Sequence, residues 1–159
     1  MKITIICVGK VKEKFYRMAL DEYAKRLSRY CKLEILELED EKTPDRASDH
    51  EMTLIKDKEG ERILKAIKKD GTVIALAIEG RKLSSEGLAK KISSLGVQGE
   101  SHIQFIIGGS LGLSENVLKT ADMLLSFSEM TFPHQLMRVI LLEQIYRSYR
   151  IIQGEPYHK

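Results

Sequence analysis

Short apolar runs alternating with helical patterns predict an α/β fold, a mostly parallel sheet flanked by helices. In the second half "TVIALAI" (residues 72–78) is continuously apolar, as a strand covered on both faces requires, and "IQFII" (residues 103–107) reads as another buried strand. The 159 residues hold no internal repeat and no low-complexity stretch, so residues 1–159 read as one domain.

From the N-terminus, "KITIICV" (residues 2–8) reads as a buried strand closed by Gly9. Residues 13–30 space Phe15, Met18, Ala19, Tyr23, Leu27 and Tyr30 three or four apart, the stripe of an amphipathic helix. "LEILELED" (residues 33–40) partly alternates apolar and acidic side chains, which suits an exposed or edge strand. Residues 41–49 are polar, contain Pro44 and read as a mobile loop before a charged helix over residues 48–69, which Gly60 weakens by about 1 kcal/mol relative to alanine. After the strand at 72–78, "SSEGLAKKISSL" is a short helix. The strand at 103–107 leads into "GGSLGLS" and a short helix from Ser114. "ADMLLSF" reads as a last strand and residues 132–153 as a long helix.

Lys and Arg number 26 against 23 acidic residues, a net charge of +3 that leans only weakly toward anionic partners. Cys7 and Cys31 lie far apart without C-x-x-C spacing and read as free thiols of a reducing compartment. The opening "MKITIICVGK" is too short and too soon charged for a signal peptide, and no stretch approaches the roughly 20 apolar residues of a membrane span. These features point to a cytoplasmic protein without membrane contact.

Open parallel sheets bind ligands beyond the carboxyl ends of their strands. Three loops of the second half leave strands at that end: "EGRKLSS", "GGSLGLS" and "SFSEMTF". If their strands are neighbours, the loops line one crevice. In the middle loop, Gly108, Gly109 and Gly112 permit close backbone approach and Ser114 can cap the next helix. The spacing G-G-S-L-G is neither the dinucleotide fingerprint nor a P-loop. It fits either a tight strand-to-helix turn or a cradle in which backbone groups hold a nucleoside-like ligand. His50, His102, His134 and His158 are scattered, without a second ligand at metal spacing, so no metal is expected.

In the last helix, Pro133 suits the first turn. At 100° per residue, Val139, Leu141, Leu142, Ile145, Tyr146, Tyr149 and Ile152 share one broad face with Arg138 near its middle, and Glu143 and Arg147 form an i,i+4 pair. A helix apolar nearly all round wants cover on more than one side, and in a chain this small a second copy can supply it. Arg138 reads either as a buried ion pair or as a guanidinium held for a phosphate or carboxylate. The chain then closes on "GEPYHK", with a rigid residue, a phenol and an imidazole where termini usually carry little.

Taken with the opening "MKITIICVGK", the segments "IIGGSLGL", "LSFSEMTFPHQLMRVILLEQIYR" and "PYHK" resemble the RlmH family of ribosomal RNA methyltransferases, within the SPOUT (α/β-knot) superfamily, over essentially the whole chain. The resemblance implies a C-terminal deep trefoil knot, with knot and cofactor site in roughly residues 72–159. Knots are essentially absent from most folds, and periodicity could not have revealed one. It also implies S-adenosylmethionine (SAM) as methyl donor, a homodimer, and transfer to N3 of a pseudouridine in 23S rRNA of the assembled ribosome. Carried over by position, Leu76, Gly108, Phe127, Ser128, Glu129, Met130, Thr131 and Phe132 contact SAM. His158, Tyr157, Arg138 and Arg147 become the catalytic candidates: His158 to accept or relay the N3 proton, Tyr157 to stack on or bond the base, the arginines to meet phosphate or developing charge. In that arrangement the tail reaches the partner's cofactor pocket, the simpler alternative being docking in the dimer interface. Two other readings rival the enzyme: a nucleotide-binding module without chemistry, indifferent to the tail, and a ribosome-bound dimeric scaffold with no need of SAM.

Overall fold

The structure, a computed structural model, describes all 159 residues. Five strands form one sheet in the order β2-β1-β4-β3-β5, and every pairing is parallel. In chain order the elements are β1 (Lys2–Val8), α1 (Lys14–Leu27), β2 (Lys32–Leu38), α2 (Asp49–Ala66), β3 (Thr72–Lys82), α3 (Ser85–Val97), β4 (His102–Ile107), α4 (Glu115–Thr120), β5 (Met123–Ser126) and α5 (His134–Ile152).

Successive strand residues point to opposite faces, and both faces are covered. Ile3, Ile5 and Cys7 of β1, with Ile103, Phe105 and Ile107 of β4, pack under α1, α3 and α5 through Leu20, Leu27, Leu88, Ile92, Leu141, Leu142 and Ile145. Ile6, Val8, Val73, Ala75 and Ile106 face α2 and α4 through Ile63 and Val117. This two-sided burial explains why β1 and β4 read as buried strands; their polar members are buried and partnered, Thr4 with His102 at 2.7 Å and Gln104 with the Lys68 backbone. β2 is an edge strand, as its alternation requires.

Three expectations need correction. The third strand does not stop at Ile78 but runs to Lys82, with a register shift between Leu76 and Arg81, both of which pair with Leu125. Residues 77–80 bulge out, and Gly80 returns so close to β5 that a Cβ there would stand 2.7 Å from the Leu124 carbonyl. The first helix ends at Leu27, and its stripe is not wholly buried: Phe15 is 62% and Met18 71% exposed. On the last helix, Ile152 of the expected apolar face is 39% exposed, while Ser148, off that face, is buried.

Both cysteines are free, and burial pushes each thiol up to about 11. No helix is long and apolar enough to cross a membrane.

Candidate active site

Because β4, β3 and β5 are adjacent and parallel, their outgoing loops emerge side by side at one rim of the sheet. The condition on which the sequence argument rested, that these strands be neighbours, is met.

The middle loop is a tight turn. Gly112, at φ +86°, donates its N–H to the Gly109 carbonyl at 3.1 Å. Gly108 lies against it so closely that a Cβ would stand 2.9 Å from the Gly112 carbonyl carbon. Only glycine fits there. Ser114 then caps α4, its Oγ accepting the Val117 N–H at 3.4 Å. The loop after β5 is held by its own serines. Ser126 Oγ donates to the Ser128 carbonyl at 3.2 Å, and Ser128 Oγ accepts the Met130 N–H at 3.0 Å. Phe127 and Phe132 are half-buried against the core, whereas Met130 is 73% exposed and Glu129 makes only an exposed pair with Lys82 at 3.5 Å. Leu76, half-buried, pairs in register with Leu125 at the end of β5. Glycine backbone, two aromatic rings and free apolar edges therefore share one rim.

α5 starts at this rim. Pro133 is its N-cap residue, one position earlier than expected, and its carbonyl accepts the Met137 N–H at 2.9 Å. One turn on, Arg138 is 1% exposed. Its guanidinium donates to the carbonyls of Val8 (3.0 Å) and Gly9 (2.8 Å) and to Glu37 at 2.9 Å, with His134 Nδ1 at 3.3 Å. Of the two readings of Arg138, the structure displays the buried ion pair: the side chain ties α5 to the ends of β1 and β2. Glu37, which alternation had placed on an exposed edge, is the residue sequence reasoning missed here. Burial alone would raise its carboxyl; the Val11 amide, Arg17 and Arg138 outweigh that and hold it below the usual range. Burial and then Arg138 push His134 down.

At the other end the helix stops in a Schellman motif. Gly154, at φ +65°, donates to the Ile151 carbonyl at 3.1 Å, and Glu155 donates to that of Arg150 at 2.9 Å. The glycine turns the chain back along α5. Arg150 clasps the returning segment through Glu155 (2.6 Å) and the Pro156 carbonyl (2.9 Å). Tyr157 packs edge-on against Tyr146, centroids 5.0 Å apart, with the Arg147 guanidinium 4.7 Å above its ring. Its hydroxyl donates to Glu143 at 2.8 Å, and burial followed by Glu143 pushes the phenol up to about 12.

His158 stands between Arg147, 3.1 Å from Nδ1, and Glu86, 2.7 Å from Nε2. Arginine can only donate, so Nδ1 accepts and the proton sits on Nε2, facing the carboxylate. The structure thus brings Tyr157, His158 and Arg147 together around Glu143 and Glu86, and leaves Arg138 apart from them. Glu86, an exposed acid in the first turn of α3, had no sequence signal beyond its place at a helix start.

A rise of 1.5 Å per residue puts Glu143 and Arg147 about 14–20 Å along the helix from His134 and the rim. The tail's rings therefore lie well away from the glycine loop of their own subunit.

Residues 1–158 match a family model described as "Predicted SPOUT methyltransferase". The chain belongs to the SPOUT methyltransferase family. Within it, the chain is 69% identical to the ribosomal RNA large subunit methyltransferase H of Bifidobacterium adolescentis and 64% identical to that of Clostridioides difficile, each over the whole length of both proteins. Those full-length likenesses make it an RlmH-family member. A solved probable methylase family protein from Haemophilus influenzae Rd KW20 shares the fold, with a TM-score of 0.55 at 13% identity, covering 99% of this chain and 70% of that one.

Proposed function

We propose that this SPOUT-family chain is an enzyme that transfers the methyl group of SAM to large-subunit ribosomal RNA. The observation that carries the reading is full-length identity of 64–69% with proteins named for that reaction. At the finer level, the target is N3 of a pseudouridine in 23S rRNA, reached on the assembled ribosome by a cytoplasmic homodimer.

The rim fits the methyl donor. Gly108 offers backbone where a side chain would not fit, Phe127 and Phe132 supply apolar walls, and Leu76 with the run Ser128 to Thr131 closes the sides. SAM supplies a methyl group on a sulfonium, whose departure as a neutral thioether needs alignment more than acid catalysis. The protein's part is to fix the acceptor nitrogen in line with that methyl, exclude water and remove the N3 proton.

The tail supports a site shared between subunits. Its rings sit about 14–20 Å from their own rim, yet they gather a phenol, an imidazole and a guanidinium around two carboxylates. Placed at the rim of a partner, His158 takes or relays the proton, Tyr157 holds the base and Arg147 meets phosphate or developing charge. Exposed Phe15 and Met18 on α1 and Ile152 on α5 offer apolar area for that partner. Charge is also segregated: residues 1–32 carry nine Lys and Arg against three acids. Exposed Lys10, Lys12 and Lys14 lie beside the start of α5, where the Lys12 amide donates to Gln135 at 3.1 Å. This basic lip suits rRNA phosphate.

The test is transfer of labelled methyl from SAM to undermodified intact ribosomes, full-length chain against a chain cut after Gly154. Label in large-subunit rRNA with the full-length chain alone, while both bind SAM, places the tail in the active site. No label with either sinks the methyltransferase reading for this substrate.

A further inference from the structure

Glu59, on α2, is used by nothing described so far, yet its side chain is 4% exposed. Its Oε2 accepts the Glu41 N–H at 3.0 Å, while Oε1 is shielded from solvent and has no hydrogen-bond partner. That open oxygen faces the glycine loop: a Cβ on Gly109 would stand 3.0 Å from Oε1 and 3.3 Å from Oε2. The next residue, Gly60, backs the far end of the same loop, since a Cβ there would run into Ser114 Oγ, the cap of α4. α2 therefore braces the loop at Gly109 and at Ser114, on either side of the turn that presses Gly112 against Gly108. A buried carboxyl oxygen without a donor is costly, and such a group calls for a reason.

We infer that Glu59 is a positioning residue for SAM, acting through Gly109 to fix the glycine loop that presents Gly108 at the rim. The inference rests on the proposed methyltransferase reading and adds a residue, on the far face of the sheet from α5, to that site. Burial holds the Glu59 carboxyl above its usual range. The Glu41 amide opposes this, and the Asp40 and Glu41 charges raise it against Arg62. The groups facing it are thus two acids of the segment after β2 and one arginine of α2, with only uncharged backbone on the loop side. Glu59 acts on how the loop is set rather than on the reacting atoms, so its loss weakens SAM binding and spares turnover.

The experiment is SAM binding by calorimetry on the free protein, with kcat and KM for SAM on undermodified ribosomes and thermal melting as the check of folding. For E59A, Kd and KM for SAM are expected to rise about tenfold while kcat at saturating SAM stays within about threefold of wild type. E59Q keeps an acceptor for the Glu41 amide and the same shape under Gly109, and is expected to restore most of the affinity. E61A, on the exposed side of the same helix, is the control expected to match wild type. G109A tests the same contact from the loop side, leaving the residues of α2 unchanged while its Cβ presses on Glu59, and is expected to weaken SAM binding as E59A does. Folded E59A that binds SAM as tightly as wild type, or that loses kcat with its affinity intact, overturns the inference. So does E59Q no better than E59A, or, should E59A fail to fold, G109A with unchanged affinity. Wild type that binds no SAM sinks the proposed function itself, whereas normal binding by E59A sinks this inference alone.

Discussion

Arg138 and Arg147 sit on one helix, nine residues apart, and illustrate two uses of a guanidinium. Arg138 is 1% exposed and two of its partners are backbone carbonyls, groups that cannot leave without unmaking β1. Arg147 keeps a side-chain exposure of 24%, and all its partners are side chains: Glu143, the face of Tyr157 and His158. Two of those three belong to the tail. A guanidinium clasped by backbone holds a fold together, whereas one clasped by movable side chains can exchange them for a substrate. Residue type and spacing are the same in both places; the partners decide.

The largest effect expected from that contrast is at the buried end. R138M removes the charge that Glu37 and two carbonyls were folded around, and should cost about 3–5 kcal/mol in urea unfolding, as breaking a buried pair does. R147M should barely move the same curve, because a partly exposed pair contributes about 0–1 kcal/mol. If both variants unfolded alike, the distinction between the two arginines would collapse.

Activity should rank them the other way. On intact ribosomes, R147M and the chain cut after Gly154 should each lower methyl transfer by about 10²-fold or more, with SAM affinity unchanged, the range expected for loss of a proton-transfer or charge-stabilising group. Y157F is a finer probe. It keeps the ring against Tyr146 and deletes only the hydroxyl that bonds Glu143, so a loss of about tenfold or less would assign Tyr157 to stacking rather than to hydrogen bonding.

The smallest effect is one of pH. His134 packs beside Arg138 and is depressed from 6.5 by burial and by that arginine. A base depressed in the fold takes up its proton later than in the unfolded chain. Its contribution is therefore whole above 6.5 and declines as pH falls through that value toward the folded pKa. Urea midpoints for wild type should drop between about pH 7 and 5 by more than those of H134N. Parallel curves would remove His134 from the buried cluster's account.

How much of this the sequence disclosed depended on how local the cause was. Ser114 is a legible cap because its partner lies three residues on, and the covered strands are legible because burial on both faces leaves no polar alternation. The extension of β3 through Arg81 and Lys82 was hidden, since nothing in "EGRK" looks like a strand and its pairing with Leu125 is a contact across the fold. Glu37 was hidden for a related reason: alternation marks which side chains leave the core, but not that an arginine 101 residues later will claim one of them. The tail announced its residue types, and the family resemblance gave them roles. Only the structure shows Gly154 folding them back onto Glu143 and Arg147. Glu86 and Glu59 could not be told from any other surface acid of a charged helix.

The all-parallel sheet has a practical corollary for anyone handling this molecule. Every strand ends at the same rim, so β1 starts at the opposite pole, and Met1 lies there, away from the three loops, its carbonyl accepting the Lys32 N–H at 3.0 Å. Lys159, by contrast, follows directly on His158. An affinity handle or fluorophore is best appended before Met1, where it trails from the pole opposite the loops; the same addition after Lys159 would sit on the imidazole it was meant to report.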